Sequence, residues 1–384
     1  MISTVTIISG TLLLLLAVCT TVTNPFFPMP TRKNKGSDST ASDGTEGGEP
    51  LSVIMLVNGN ESLLVRNLPL FLDQEYAPGF HVTVVGERPT AEADDLMKQF
   101  GDDPRLSYTF IPDTSRYISR EKLGITLGVK AASNEWCVLV DSSCRPTGTH
   151  WLQAMGSQCT ASKNLVIGYN NYDADAKPRM RFYRLRHFAR LWRECRKGTP
   201  YCSNGTNLAF RKSEFISGDG FRGNLDIIRG EFDFTVNKLA QKGKAAVVTS
   251  HDGSLTEEAP TSRQWRTQNV FFLHSCRHMQ RTFRHRLLPC LDLFLLHFTL
   301  IASLATAAVA AVLGNYILLA AALVALVILI AGRVYEGRKA INAFHADVSA
   351  WRILPLELTS AWHSLADRMR YMVAKSTDFT CHKL

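Results

Sequence analysis

The chain has 384 residues, 46% of them hydrophobic and only 20% charged, with a formal net charge of +9. That length and composition allow one sizeable globular domain together with membrane segments. Much of the positive excess flanks apolar stretches, where it meets anionic lipid headgroups, and no nucleic-acid motif accompanies it; the nine cysteines are scattered without zinc-ligand spacing, as reduced thiols in a cytoplasmic domain would be.

In chain order, residues 1–30 contain an uncharged apolar run from Ile2 to Val22, long enough to span a bilayer. The basic residues Arg32, Lys33 and Lys35 follow this run instead of preceding it, which favours an uncleaved anchor over a cleaved signal. By the positive-inside rule the N-terminus lies outside and the bulk of the protein in the cytoplasm. Residues 31–50, rich in Gly, Ser, Thr, Asp and Glu, read as a flexible linker.

A folded domain is expected over residues 51–285. Apolar runs at 52–57, 81–85, 106–111 and 136–140 predict buried strands, while helical spacing covers 61–76, 91–100 and 119–132. This alternation points to an α/β fold with a mostly parallel nucleotide-binding sheet flanked by helices. Trp136-Cys-Val-Leu-Val-Asp141 ends abruptly at an acid, in the place where ligands of open α/β sheets collect. A carboxylate there can hold a divalent cation that grips phosphate oxygens, or it can simply face solvent at a turn.

Residues 181–196 interleave Phe182, Leu185, Phe188 and Trp192 with Arg184, Arg186, Arg190, Arg193 and Arg196. The spacing predicts an amphipathic helix, lying at the membrane surface or burying its apolar stripe inside the domain. Residues 286–333 form a second apolar region, divided near Leu313-Gly-Asn-Tyr316, and read as a transmembrane hairpin with both basic ends, Arg333 included, in the cytoplasm. Asp292 and His297 near its entrance are expected at the interface unless they meet a partner. Residues 334–384 then form a cytoplasmic juxtamembrane tail.

Several blocks in the domain occur in an order that resembles the family 2 glycosyltransferases, in particular membrane-anchored bacterial members with a GT-A catalytic domain. They begin with Ser52-Val-Ile-Met-Leu-Val-Asn-Gly-Asn-Glu61 and Val84-Val-Gly-Glu87. In the second, Gly86 replaces the first of two acids, so Glu87 alone is left to accept hydrogen bonds from the nucleoside. Arg120-Glu-Lys-Leu-Gly124 resembles the helix start near the diphosphate, with Lys122 as a phosphate contact or an exposed helix lysine. Asp141-Ser-Ser-Cys-Arg-Pro146 stands where the family has Asp-X-Asp, and Ser143 replaces the second acid. The resemblance thus implies a weakened site for Mg²⁺ or Mn²⁺ on Asp141 and Ser143.

Downstream, Ser203-Asn-Gly-Thr-Asn-Leu208 is similar to the acceptor block, and Gly230-Glu-Phe-Asp-Phe234 to the block that supplies the catalytic base. Phe232 interrupts its acids; the reading takes Asp233 as base and Glu231 as helper, and an acidic helix N-terminus explains both equally without chemistry. Arg263-Gln-Trp-Arg266 loosely resembles a block of processive synthases, so Trp265 and Arg266 either contact acceptor or diphosphate or anchor at the membrane surface.

The resemblance implies an inverting hexosyltransferase of the inner membrane, multi-pass with its catalytic domain cytoplasmic. Its donor is a nucleotide-sugar and its acceptor a lipid-linked sugar or oligosaccharide, in polysaccharide biosynthesis of the cell envelope. Polysaccharide-assembly proteins are further expected partners. Three missing acids leave the alternative of a catalytically impaired, glycosyltransferase-like binding or assembly partner.

Overall fold

The structure, a computed structural model, describes residues 4–29, 48–57, 61–87, 100–112, 119–375 and 377–380, with residues 95 and 98. Most of the expected linker and of the helix expected over 91–100 lies outside them. The chain divides into two compact units, residues 1–31 with 281–366 and residues 32–280 with 367–384. Helix α1 (Thr4–Thr23) opens the first unit.

The second unit is built on β1 (Leu51–Leu56), α2 (Glu61–Leu72), β2 (Phe80–Gly86), β3 (Leu106–Phe110), α3 (Arg120–Ala131) and β4 (Trp136–Asp141), in good agreement with the spacing read above. Then follow β5 (Cys144–Pro146), α4 (Trp151–Gly156), β6 (Leu165–Ile167), β7 (Asn170–Tyr172), α5 (Pro178–Lys197), β8 (Leu208–Arg211) and α6 (Lys212–Ser217). Helix α7 (Glu231–Leu239), β9 (Ala245–Val247), β10 (Leu255–Glu257) and α8 (Ser262–His278) complete the run. Seven strands form one sheet in the order β3-β2-β1-β4-β8-β6-β9, and β5, β10 and β7 form a small second sheet.

Strands β3, β2, β1 and β4 are mutually parallel, and β8 then runs antiparallel to β4. The central strands read as continuous apolar runs because both of their faces are covered. Leu51, Val53 and Met55 enter one core with Trp136, Val138 and Val140, while Ile54 and Leu56 enter the other with Cys137 and Leu139. Full burial of one such side chain stabilises the fold by about 1.5–3 kcal/mol. Leu56 pairs with both Val85 and Asp141, so β1, β2 and β4 end level and form a common carboxyl edge.

Helix α3 crosses from β3 to β4, which puts its first turn at that edge. Ser119 caps it by accepting the Lys122 amide at 3.3 Å. Two glycines let it lie close to the sheet. A Cβ at Gly128 would collide with Ile54 Cγ2, and one at Gly124 would stand 3.4 Å from Ile111 Cδ1.

The arginine-rich helix α5 departs from the expected surface placement. Phe182, Leu185, Phe188, Leu191 and Trp192 are buried within this unit, with Phe188 against Tyr169 at 4.9 Å. Arg181 and Arg186 are buried too, and Arg184 forms an ion pair with Glu257, so the apolar stripe belongs to the domain interior.

In the first unit, α1 packs with α9 (Phe283–Val312) and α10 (Tyr316–Phe344). All three are long and apolar enough to cross a membrane. Gly314 at φ 66° turns the chain between α9 and α10, and Asn315 caps the latter by accepting the Leu318 amide at 3.2 Å. Leu13, Ala17, Leu296, Ala322, Ala325 and Leu329 form the apolar contact.

Asp292 meets a partner, the stated alternative to an interfacial position, and that partner is Arg333. Arg333 is wholly buried, donating from Nη1 to Glu357 Oε2 at 2.7 Å, from Nη2 to the Thr20 carbonyl at 3.1 Å and to Asp292. Asn24 Nδ2 donates to the other Glu357 oxygen at 3.1 Å. Glu357 lies on α11 (Ile353–Val373), near whose start His297 Nε2 meets the Leu358 carbonyl at 3.2 Å. Buried charges persist when paired in this way, and the spacing of apolar residues carried no sign of which charges would meet.

Candidate functional site

The carboxyl edge of the large sheet gathers Asp141 from β4, Glu121 from the first turn of α3, and Arg229 with Glu231 from the start of α7. Glu231 is placed by Gly230, whose φ of 91° lies in the left-handed region. A Cβ at Gly230 would also collide with Ser275 Oγ. Glu231 is 7% exposed, and its Oε2 is buried without a hydrogen-bond partner. Glu121 pairs with Arg229 through Oε1, while its own Oε2 is likewise buried and unpartnered. Burial, then the neighbouring Glu231 charge, pushes the Glu121 carboxyl up to about 8 against the pull of Arg229.

Asp141 is pushed up to about 6, chiefly by burial, with hydrogen bonding from Ser143 opposing and Glu257 and Glu121 adding to it. Its Oδ1 accepts the Ser143 amide at 2.8 Å, closing the strand-end turn. As a metal site this is partial: among the described residues no group of three His, Cys, Asp or Glu side chains could hold an ion. One carboxylate and one hydroxyl fit Mg²⁺ or Mn²⁺ only where a diphosphate supplies most of the remaining oxygens.

The two acids of the base block go to different surroundings, as expected for residues two apart on a helix. Asp233 Oδ1 accepts the Ser203 amide at 2.9 Å and the Ser203 hydroxyl at 3.0 Å. Burial pushes its carboxyl up to about 6 while both Ser203 bonds pull it down. Asp233 therefore ties α7 to the loop at Ser203, and Glu231 is the acid gathered with Glu121 and Arg229.

Lys122 is fully buried, which excludes the exposed helix lysine. Its ammonium donates to the carbonyls of Asn224, at 2.8 Å, and Ile227, and lies 4.9 Å from the Phe234 ring centroid. Burial lowers it to about 8. It fixes the loop that leads to Arg229. The Ile228 amide in that loop donates to the Phe379 carbonyl at 3.0 Å, and Phe379, on α12 (Thr377–Thr380), stacks on His274 at 4.3 Å.

Glu87 follows β2 and lies 3.9 Å from Arg120. A side chain at Gly86 would come within 3.2 Å of Tyr108 and 3.3 Å of Phe110, so aromatic rings occupy the space around the missing acid. In the acceptor block, Asn207 accepts Trp151 Nε1 at 3.2 Å and donates to the carbonyls of Tyr169 and Gly253 at 3.2 and 2.9 Å. This is a buried amide network that joins loops of both sheets. Trp265 is also buried, stacked on Tyr183 at 6.1 Å with Arg179 over its ring at 5.2 Å, while Arg266 is exposed. Burial thus corrects the surface-anchor expectation for Trp265.

Glu121 and Arg229 were not singled out from sequence, although each adjoins a residue that was. The signal was the adjacency of charged neighbours to two candidate blocks; the helix-to-loop approach that makes them meet is tertiary.

No protein-family model matches the chain, and no curated protein matches it in sequence. Among solved structures it is similar to the mannosyltransferase PcManGT from Pyrobaculum calidifontis, in complex with GDP-Man and Mn²⁺, at 15% identity and a TM-score of 0.51 over 94% of this chain and 99% of that one. It also aligns with S. aureus TarS 1-349, in complex with UDP-GlcNAc, at 12% identity and a TM-score of 0.42 over 86% of this chain and 91% of that one. The likeness to PcManGT is one of fold.

Proposed function

We propose that this chain is a membrane-bound inverting glycosyltransferase that moves a hexosyl unit from a nucleotide-sugar donor to a lipid-linked or saccharide acceptor in cell-surface polysaccharide synthesis. The observation that carries the reading is the meeting of Glu231, Glu121, Arg229 and Asp141 at the carboxyl edge of the parallel strands, on a fold shared with a mannosyltransferase.

In this reading Glu231 is the base. It takes the proton of the acceptor hydroxyl as that oxygen bonds to the anomeric carbon and the bond to the diphosphate breaks. Arg229 stabilises the negative charge that gathers on the leaving diphosphate. Asp141, with Ser143 beside it, would hold a divalent cation, which would supply further positive charge to the diphosphate. Glu87 contacts the nucleoside, and exposed Arg266 is available to an anionic ligand. Lys122, Asp233 and Trp265 hold the loops and helices around the site.

Residues 51–285 form the catalytic domain, and the three apolar helices anchor it in the inner membrane. The charge flanks favour a cytoplasmic catalytic domain. Incubating the detergent-solubilised chain with GDP-mannose, UDP-glucose and UDP-N-acetylglucosamine, with Mn²⁺, Mg²⁺ or chelator, tests the reading. Metal-stimulated release of nucleoside diphosphate supports it. Binding without release, lipid-linked acceptors included, favours the second reading, an impaired transferase-like assembly partner, which Gly86, Ser143 and Phe232 in place of acids support.

A further inference from the structure

Two buried carboxyl groups facing one another, each with an oxygen that meets no donor, make an unstable arrangement if both are ionised. Glu121 and Glu231 are such a pair, with their side chains within hydrogen-bonding reach and both Oε2 atoms unpartnered. One proton between them resolves it, because a protonated carboxyl supplies the missing donor. The Arg229 guanidinium, paired with Glu121 and near enough to feel the Glu231 charge, offsets one negative charge and leaves the second proton unneeded.

We propose that Glu121 is a positioning residue that holds this proton and donates it as a hydrogen bond to Glu231, aiming the ionised Glu231 carboxylate at the acceptor hydroxyl. The inference rests on the assignment of Glu231 as base. Burial and the adjacent Glu231 both favour the protonated form of Glu121 at neutral pH. The charged groups around it are Arg229 and Glu231 from the segment entering α7, Asp141 from β4, and Lys122 on its own helix. Above about pH 8, loss of the proton leaves two facing anions, removes the donor that orients Glu231 and lowers activity.

The test uses the full chain in detergent and compares Glu121→Gln with Glu121→Ala, reading nucleoside diphosphate release from GDP-mannose, UDP-glucose and UDP-N-acetylglucosamine between pH 5.5 and 9.5. A glutamine amide donates as the protonated acid does. Glu121→Gln is therefore expected to lose only a few-fold in kcat and to shed the alkaline fall, while Glu121→Ala loses about tenfold or more in kcat with little change in KM. Equal losses in both variants with the alkaline fall intact overturn the proposal.

If the parent chain turns over none of these donors, the transferase reading fails separately. The pair is then judged by infrared titration of the carboxyl stretch. A carboxyl that deprotonates near pH 8 in the parent and disappears in Glu121→Gln sustains the pairing; identical carboxyl titrations near pH 8 in the parent and the variant, where Glu194 also lies, sink it.

Discussion

Two places in this chain bring together the same set of charges, two acids and one arginine, and treat them in opposite ways. In the first unit Arg333 reaches both Asp292 and Glu357, and each Glu357 oxygen has its own donor. At the carboxyl edge of the large sheet Arg229 reaches Glu121, its side chain is half exposed, and one oxygen each of Glu121 and Glu231 is left without a donor. The first arrangement gives both acids a direct contact with the same guanidinium and holds helices together. The second leaves a deficit that a proton or a ligand can fill, as expected of a reactive site more than of a structural tie.

The largest effect is expected where that deficit is removed. Glu231→Gln should lower nucleoside diphosphate release by about 10²–10⁴-fold, and Asp233→Asn by far less, with its loss seen mainly in thermal stability. Side-by-side kinetics and melting curves for the two variants check this, and the opposite ranking would make Asp233 the base.

Arg333→Met tests the tie. Leaving Asp292 and Glu357 buried without the guanidinium should destabilise the detergent-solubilised chain by about 3–5 kcal/mol, whereas replacing all three by apolar residues should recover most of the loss. Equal melting temperatures for the parent and Arg333→Met would show that the pairing holds nothing.

A smaller effect is expected at Gly230, where the backbone has φ 91° and little space for a side chain. Gly230→Ala should cost about 1–3 kcal/mol of stability and displace Glu231, so turnover should fall with little change in donor affinity. Calorimetric titration of the nucleotide beside the turnover assay separates the two quantities.

The last effect is a slope with pH. Asp141 and Asp233 are raised to about 6 and Glu121 to about 8, so each binds its proton more tightly in the folded chain. Their contribution to stability is complete below the ordinary carboxylate range and declines as pH climbs through those values, by at most about 1.4 kcal/mol per unit for each group. Melting temperatures from pH 4.5 to 8.5 should fall less steeply in Glu121→Gln than in the parent.

The strands and helices of the parallel half were legible because their apolar spacing is local, and Asp141 stood out because its strand stops there. What escaped was the identity of charged partners. Arg333 lies 24 residues from Glu357 and 41 from Asp292, and Glu121 lies 108 from Arg229, so no local period connects them. Helix α5 was ambiguous for a related reason: arginines that snorkel at a membrane and arginines buried against Glu257 or carbonyls have the same sequence spacing. Glu231 and Asp233 were found together, and only the direction of α7 separates an acid tied to Ser203 from one aimed at the site.

The strand order has a bearing on synthesis. Strand β6 precedes β8 in the chain yet lies beyond it in the sheet, joined to β4 only through β8. As the polypeptide leaves the ribosome, the parallel half up to β4 can pair by itself, but β6 has no edge to join until residues 208–211 have emerged. Glu231 follows directly after that step. The half that ends in Asp141 is therefore ready first, and the proposed base is delivered only after β8 has emerged.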